Sequence, residues 1–317
     1  MKNPRHYAIL YKITSQCNDW CDFCLEYKFI KEKRPSLSLE ELKENYFYLK
    51  KKYKFIDYVI LTGGEPTLHP QFFEMLSFFK EKGVGFRFIT NLVKFNEKSF
   101  FERLKPNFLK FQSKRQEALT KIIASINDLP NFSRIAKLRA GGLIRALKSK
   151  LPLMVTLVIY KKNVEFLPEI AIWLKNLFRR YAEDKTLHVE FRLIYVEGTL
   201  PVLLKKSLPP TFSVLKEKVE KTIDLLDTPT TKITLWNFPL CYLNNFERAK
   251  NEAIRERQKR RLIKVHHNAQ FDKIEIRDWE EYLKPHRVCK KCRLKNFCSG
   301  IDKEYIRDYG YPKLEPK

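Results

Sequence analysis

Three cysteines, Cys17, Cys21 and Cys24, follow directly on an apolar stretch at 7–13 that suits a buried strand. A second apolar stretch, 56–61, runs into Gly63-Gly64-Glu65-Pro66. Both motifs therefore sit where a strand ends, which is where α/β folds built on parallel strands keep their chemistry. Three thiolates at this spacing can hold three irons of a four-iron cluster and leave the fourth iron open. Taken alone, the spacing also fits half of a ferredoxin-like site or a zinc site with a distant fourth ligand. The ferredoxin run, however, carries a fourth cysteine followed by Pro, and this loop does not.

The rest of the chain continues the alternation. Ser38 caps an expected helix at 39–52, with Glu41 in the capping-box position. Helical spacing at 71–82 stops at Gly83, and a third strand at 86–90 leads to Asn91. Residues 97–118 read as helix broken at Pro106, 121–127 as a fourth strand, and 140–150 as a helix in spite of Gly141-Gly142. A fifth strand at 153–160, a helix at 164–178, a sixth strand at 188–196 and a helix at 211–226 capped by Thr211 follow. Six strands alternating with helices predict a parallel α/β sheet, as an open or closed TIM-like barrel or a doubly wound sheet.

With 317 residues, 44% of them hydrophobic, the chain can build one large domain and a small one. No run of eighteen apolar residues occurs, so no membrane helix is expected. The first residues lack the apolar stretch of a signal peptide, and a cytoplasmic location is the expectation. Lys and Arg number 62 against 37 Asp and Glu, a net charge of +25. That excess suits an acidic peptide, a nucleic acid or a membrane surface, but its spread along the chain equally fits a thermophile's general composition. The densest basic run, 255–264, reads as the polar face of a helix or as a phosphate tracker. All seven cysteines fall into two groups, three early and four late (Cys241, Cys289, Cys292, Cys298). Clustering of this kind in a reducing compartment points to metal before disulfides.

The residues around the first two motifs resemble the radical S-adenosylmethionine (radical SAM) enzymes. The resemblance rests on Cys17-Asn18-Asp19-Trp20-Cys21-Asp22-Phe23-Cys24, with an aromatic before the third cysteine. It rests also on Leu61-Thr62-Gly63-Gly64-Glu65-Pro66-Thr67-Leu68 and on Ile89-Thr90-Asn91. It covers residues 1–230 and implies a partial (β/α)6 TIM-like barrel there. It implies that Cys17, Cys21 and Cys24 hold a [4Fe–4S] cluster whose open iron is chelated by the amino and carboxylate groups of S-adenosylmethionine. A one-electron reductant such as ferredoxin or flavodoxin would feed the cluster. Cleavage of the sulfonium would then give a 5′-deoxyadenosyl radical that abstracts a substrate hydrogen. Gly63 and Gly64 would let the backbone approach the methionine moiety, with Pro66 closing the motif. Glu65 would accept from the cofactor's ammonium group, and Phe23 would contact adenine, unless it simply packs in the core. Thr90 and Asn91 lie near the ribose in this reading, with Ser125 and Asn127 as further ribose candidates. Arg139 would pair with the cofactor carboxylate or lie on a solvated helix face. His69 reads as a loop residue. The fifth strand lacks the Gly-rich motif of some members, and Glu197-Gly198 after the sixth would face the substrate.

Cys289-x2-Cys292-x5-Cys298, with Cys241 as a fourth ligand, makes a closed site for zinc or a four-iron cluster. The segment 231–317 resembles the SPASM and twitch auxiliary-cluster domains, which implies a second [4Fe–4S] cluster. The larger SPASM pattern continues to a further cysteine, and here that position is Asp302. Asp302 or His286 could stand in for Cys241. Tyr305, Tyr309, Gly310 and Tyr311 read as a packed cap over the cluster. Three functions follow: a radical SAM enzyme acting on a peptide or protein, one acting on RNA or a nucleotide-derived metabolite, and a non-catalytic metal-stabilised binding protein. No RNA-binding module or base-stacking basic strand is legible.

Overall fold

A computed structural model describes residues 6–193, 211–236, 238–245, 260–265, 275–277, 283–284, 287–294, 298, 300–302, 306 and 310. Glu197, Gly198, His286, Tyr305, Tyr309 and Tyr311 lie outside these residues. The first strand, β1 (His6–Thr14), is followed by the cysteine loop, α1 (Tyr27–Lys31) and α2 (Leu39–Lys52). Ser38 caps α2 as expected: its Oγ accepts from the Glu41 N–H at 3.1 Å, and Glu41 Oε2 accepts from the Ser38 N–H at 2.7 Å. Then come β2 (Ile56–Gly63), α3 (Phe72–Glu81) and β3 (Gly85–Thr90).

The helical stretch after β3 breaks at Pro106 as expected, giving two short helices, α4 (Lys98–Leu104) and α5 (Lys114–Leu119). Pro106 opens a 3-10 turn between them, and Lys110 takes a left-handed backbone, so the helix cannot run through. After β4 (Lys121–Ser125), α6 spans Arg134–Lys148 and so starts six residues before the expected 140. Ser133 caps it, accepting from the Ala136 N–H at 3.0 Å. Gly142 is needed inside this helix because a Cβ there would stand 2.2 Å from the Leu92 carbonyl oxygen. β5 (Leu153–Ile159), α7 (Leu167–Tyr181), β6 (Leu187–Leu193) and α8 (Phe212–Leu226) follow. Thr211 precedes α8, but its side chain makes no capping hydrogen bond to the helix.

Two further parallel strands were not expected. β7 (Thr231–Trp236) extends the sheet beyond β6, and β8 (Arg260–Val265) pairs with the other flank of β1. The basic run, read as a helix face or a phosphate tracker, ends in a strand in which Leu262 and Ile263 are buried. The sheet order is β7-β6-β5-β4-β3-β2-β1-β8-β9, with β1 to β8 parallel and β9 (Glu275–Arg277) antiparallel on β8. The sheet is not closed, which matches the open-barrel expectation. β10 (Leu283–Lys284) and β11 (Ile301–Asp302) form a separate antiparallel pair, so Asp302 lies in a strand.

The helices cover one face of the sheet. Ile9, Tyr11, Val59, Leu61, Phe86, Phe88, Val155, Phe191 and Leu235 meet the helices in one apolar core, which also takes in Cys241, Cys292 and Leu294. The opposite face has an apolar cluster near β1, β2 and β8, made by Ala8, Leu10, Tyr58, Ile60 and Leu262, and carries Ile89, Ile123, Met154 and Val158 on β3 to β5. Toward β6 and β7 it carries polar residues, as cross-strand neighbours such as Ser125 and Thr156, Thr156 and Glu190, or Glu190 and Thr234 show. A sheet clad by helices on one side, with polar residues on the other toward β6 and β7, suits an inward-curving barrel wall.

At the amino ends of the strands that polar face is basic. Burial, reinforced by Lys232, Lys121 and Arg87, holds His188 well below the usual histidine range, at about 3. Its folded pKa lies below its unfolded value, so its stability contribution is present at neutral pH and is lost as pH falls through 6.5. Between pH 7.5 and 5, wild-type protein should lose about 2 kcal/mol more than His188→Gln in urea unfolding. Equal losses would contradict a neutral buried imidazole.

Candidate functional site

The two motifs are joined backbone to backbone. The Gly64 N–H donates to the Thr14 carbonyl at 2.7 Å, and the Glu65 N–H donates to the Gln16 carbonyl at 2.7 Å. Gly63 has φ +134°, and a Cβ on it would stand 2.2 Å from the Thr14 oxygen. A Cβ on Gly64 would stand 2.1 Å from the Gln16 oxygen. Both glycines are therefore demanded by the chain that leads into the cysteine loop. The expectation placed the methionine moiety of a cofactor there; the close neighbour in this structure is the protein's own backbone.

Glu65 extends the same tie to β3. It is 2% exposed, and its carboxylate accepts four hydrogen bonds. Oε1 takes the Thr67 hydroxyl at 2.6 Å, the Thr67 N–H at 3.1 Å and the Thr90 hydroxyl at 2.8 Å; Oε2 takes the Asn91 N–H at 2.7 Å. Burial raises its pKa and the four donors oppose that shift. Sequence reasoning aimed this carboxylate at a cofactor ammonium; here it holds the carboxyl ends of β2 and β3 together. Pro66 starts the 3-10 turn that lets Thr67 reach back. Asn91 reaches the cysteine loop, its Nδ2 donating to Asn18 Oδ1 at 2.7 Å. His69 is buried and accepts from the Gln71 N–H through Nδ1 at 3.0 Å, as a loop residue would.

The cysteine loop is held from the far side by Arg139 of α6. This guanidinium is 6% exposed and pairs with Asp19 and, at 3.3 Å, with Asp128. It also donates to Cys21 Sγ at 3.3 Å. Asp128 accepts from the Tyr160 hydroxyl at 2.8 Å, and the Tyr160 ring lies 4.6 Å from that of Phe23. Asp19, Asp128 and Tyr160 were missed by sequence reasoning. The available signal was position, since Asp128 and Tyr160 stand just past the carboxyl ends of β4 and β5. Phe23 is half-buried on Tyr160 and outside the apolar core. Among the described residues, Arg139 Nε is buried without a partner.

Ser125 and Asn127 are next to each other, with the Asn127 amide donating to Ser125 Oγ at 3.3 Å. Asn127 is 1% exposed, and its Oδ1 takes the Val158 N–H at 2.8 Å. Asn163 Nδ2 donates to the Asn127 backbone carbonyl at 2.8 Å. Asn127 thus ties β4 to β5, and Ser125 is the more open of the two ribose candidates.

The thiols themselves are mutual neighbours. Burial first, then Glu65, pushes Cys17 up to about 11; burial and then Glu26 and Cys17 push Cys24 up to about 12. Cys21 is raised further, by burial and then by Cys24 and Cys17. Three crowded thiols that resist ionisation alone fit a cationic partner, and three soft thiolates suit iron–sulfur ligation. Among the described residues, no three His, Cys, Asp or Glu side chains stand ready around a single ion. Ligands of a four-iron cluster bind separate irons and so stand further apart than ligands of one ion.

Cys241, Cys289, Cys292 and Cys298 converge although separated in sequence. Burial and then Cys298, Cys292 and Cys289 push Cys241 up to about 12. Cys298 Sγ accepts from the Leu240 N–H at 3.3 Å and the Gly300 N–H at 3.4 Å.

Residues 11–111 match the family model of the radical SAM superfamily, which indicates an enzyme. Over 76 residues the chain is 33% identical to a Methanocaldococcus jannaschii protein provisionally named a glycyl-radical enzyme activating enzyme. That match spans 24% of this chain and 30% of the relative, under a third of its length. The fold resembles Streptococcus suis SuiB bound to the precursor peptide SuiA, with a TM-score of 0.60 and 14% identity over 99% of this chain and 75% of that one. It also resembles anSMEcpe with bound AdoMet and Cp18Cys peptide, with a TM-score of 0.57 and 14% identity over 99% and 93% of the two chains. At such identities these structures show a shared fold. Among the described residues, no helix is long and apolar enough to cross a membrane.

Gly64→Ala should force the cysteine loop off its seat. Its expected effects are a stability loss of about 2 kcal/mol or more in urea and faster labelling of the Cys17, Cys21 and Cys24 thiols by a thiol reagent. Unchanged stability and labelling would mean that the loop does not depend on this contact.

Proposed function

We propose that the protein is a radical SAM enzyme that modifies a peptide or protein. The observation that carries the reading is the seat of the cysteine loop. Three mutually neighbouring thiols at the end of β1 are tied by Gly64 and Glu65 to the second motif and by Arg139 to α6. Cys17, Cys21 and Cys24 would hold a [4Fe–4S] cluster with one open iron for S-adenosylmethionine. When bound, this pair supplies a 5′-deoxyadenosyl radical for hydrogen abstraction. The chain's own task is to fix the loop, orient the cofactor and keep water out. Phe23, Gly63, Gly64, Pro66, Thr90, Asn91 and Ser125 are the candidate cofactor contacts. Glu65, Asn127 and Arg139 act by holding strand ends and the loop in place.

In this reading residues 1–230 form the radical SAM unit and 231–317 the auxiliary unit, with Cys241, Cys289, Cys292 and Cys298 closing a second four-iron cluster. The N–H groups on Cys298 Sγ support thiolate ligation there, since backbone donors stabilise a coordinating sulfur. A peptide substrate is favoured by the peptides bound in SuiB and anSMEcpe, whose fold is shared across 99% of this chain. The +25 net charge suits an acidic one and an acidic electron donor such as a flavodoxin or ferredoxin.

Anaerobically reconstituted protein should hold about eight irons and about eight sulfides per chain. The triple variant of Cys17, Cys21 and Cys24 to Ala should keep about half of each, and adding S-adenosylmethionine should perturb the reduced cluster's electron paramagnetic resonance only when those three are present. Full iron in the triple variant would contradict the first site; zinc in place of the remaining iron would contradict the second cluster.

A further inference from the structure

The sheet face turned away from the helices carries a charged group that the cofactor reading does not use. Arg192 is the penultimate residue of β6, and Trp236 is the last of β7. Both lie at the carboxyl ends of the strands, the end that carries the cysteine loop. Glu190 sits two residues earlier on the same face and is buried. Its Oε1 takes the Arg192 Nε–H, and its Oε2 takes the Trp236 indole N–H at 2.7 Å. The guanidinium carbon of Arg192 lies 5.1 Å from the centre of the Trp236 ring. The arginine is thus held by its inner nitrogen and braced on an aromatic face, an arrangement that removes most of its rotamer freedom.

The Arg192 side chain is 29% exposed, and neither terminal nitrogen has a hydrogen-bond partner among the described residues. On β5 Val158 stands opposite Arg192; one pair back, Thr156 is cross-strand neighbour to Glu190 and only 4% exposed, and its hydroxyl has no partner among the described residues. A buried hydroxyl and an immobilised guanidinium edge on one sheet face, both without a partner among the described residues, describe a subsite suited to an acceptor.

We propose that Arg192, positioned by Glu190 and Trp236, binds a carboxylate of the substrate, an Asp or Glu side chain of the modified peptide. This rests on the reading of the protein as a peptide-modifying enzyme. A planar carboxylate matches the paired N–H groups of a guanidinium edge. Glu190 already neutralises Arg192, so the trio suits one singly charged group better than a run of phosphates. The net charge of the whole chain draws an acidic peptide toward the site, and Arg192 fixes which residue lies beside the cysteine loop.

The test uses anaerobically reconstituted protein with S-adenosylmethionine and a pool of randomised heptapeptides, the retained fraction being sequenced by mass spectrometry. Asp or Glu should be enriched about tenfold at one peptide position. Arg192→Gln should abolish that enrichment, Arg192→Lys should weaken it, and Arg179→Gln, at an exposed position on α7, should leave it intact. If Arg192→Gln does not fold, Trp236→Phe, which removes the indole donor to Glu190, should reduce the enrichment severalfold. No acidic enrichment in the wild type, or enrichment that survives Arg192→Gln, overturns the proposal. So does loss of S-adenosylmethionine affinity in Arg192→Gln, which would assign the guanidinium to the cofactor. Competition by oligouridylate that depends on Arg192 would assign it to phosphate and overturn the proposal likewise. Binding is read without turnover, so acidic enrichment in a protein that never cleaves S-adenosylmethionine would sink the radical reading and leave this one standing.

Discussion

The site depends on one close backbone contact, where Gly63 and Gly64 seat under the carbonyls of Thr14 and Gln16. Cysteine ligands on a loop are useful only if the loop has one conformation, because a cluster's ligands must meet separate irons at once. Two short backbone hydrogen bonds supply that constraint, and any side chain at either glycine would break it. Glu65 makes the constraint three-stranded. Its buried carboxylate draws Thr90 and Asn91 in, and Asn91 returns to the loop through Asn18. The loop is therefore gripped by β2 and β3 on one side.

Arg139 grips it on the other. A guanidinium this buried is favourable only with partners, and it has Asp19 in the loop and Asp128 past β4. Asp128 in turn receives Tyr160, on which Phe23 rests. The loop thus lies between two networks that reach it from four strands and one helix. A parallel sheet makes this economical, because all of its strands deliver their carboxyl ends to one rim. The same rim carries Arg192 and Trp236 further round, on the face turned away from the helices.

Much of this was legible in the sequence, and the reasons are physical. The strands announced themselves because a sheet packed under helices needs apolar runs, and both motifs could be placed because each follows such a run. Strand β8 was hidden, since Leu262, Ile263 and Val265 are set among Arg and Lys, which mask the apolar alternation. The start of α6 was hidden because Arg134 to Arg139 is too charged to look like a buried face, although Arg139 is buried by its pairing. The type of each site residue was readable, but its direction was not. Arg139 and Asp19 stand 120 positions apart, and no local pattern joins them. Glu65 was read as facing a ligand because the resemblance implies that role; its four donors come from Thr67, Thr90 and Asn91, and only the fold brings the last two near.

The central claim is that Cys17, Cys21 and Cys24 start radical chemistry on S-adenosylmethionine. The most direct measurement is 5′-deoxyadenosine formed from S-adenosylmethionine by anaerobic, reconstituted and chemically reduced protein, compared with the variant in which those three cysteines are Ala. The account predicts 5′-deoxyadenosine from the wild type and none above background from the variant. No product from wild-type protein that carries its full complement of iron, or equal product from the variant, would contradict it.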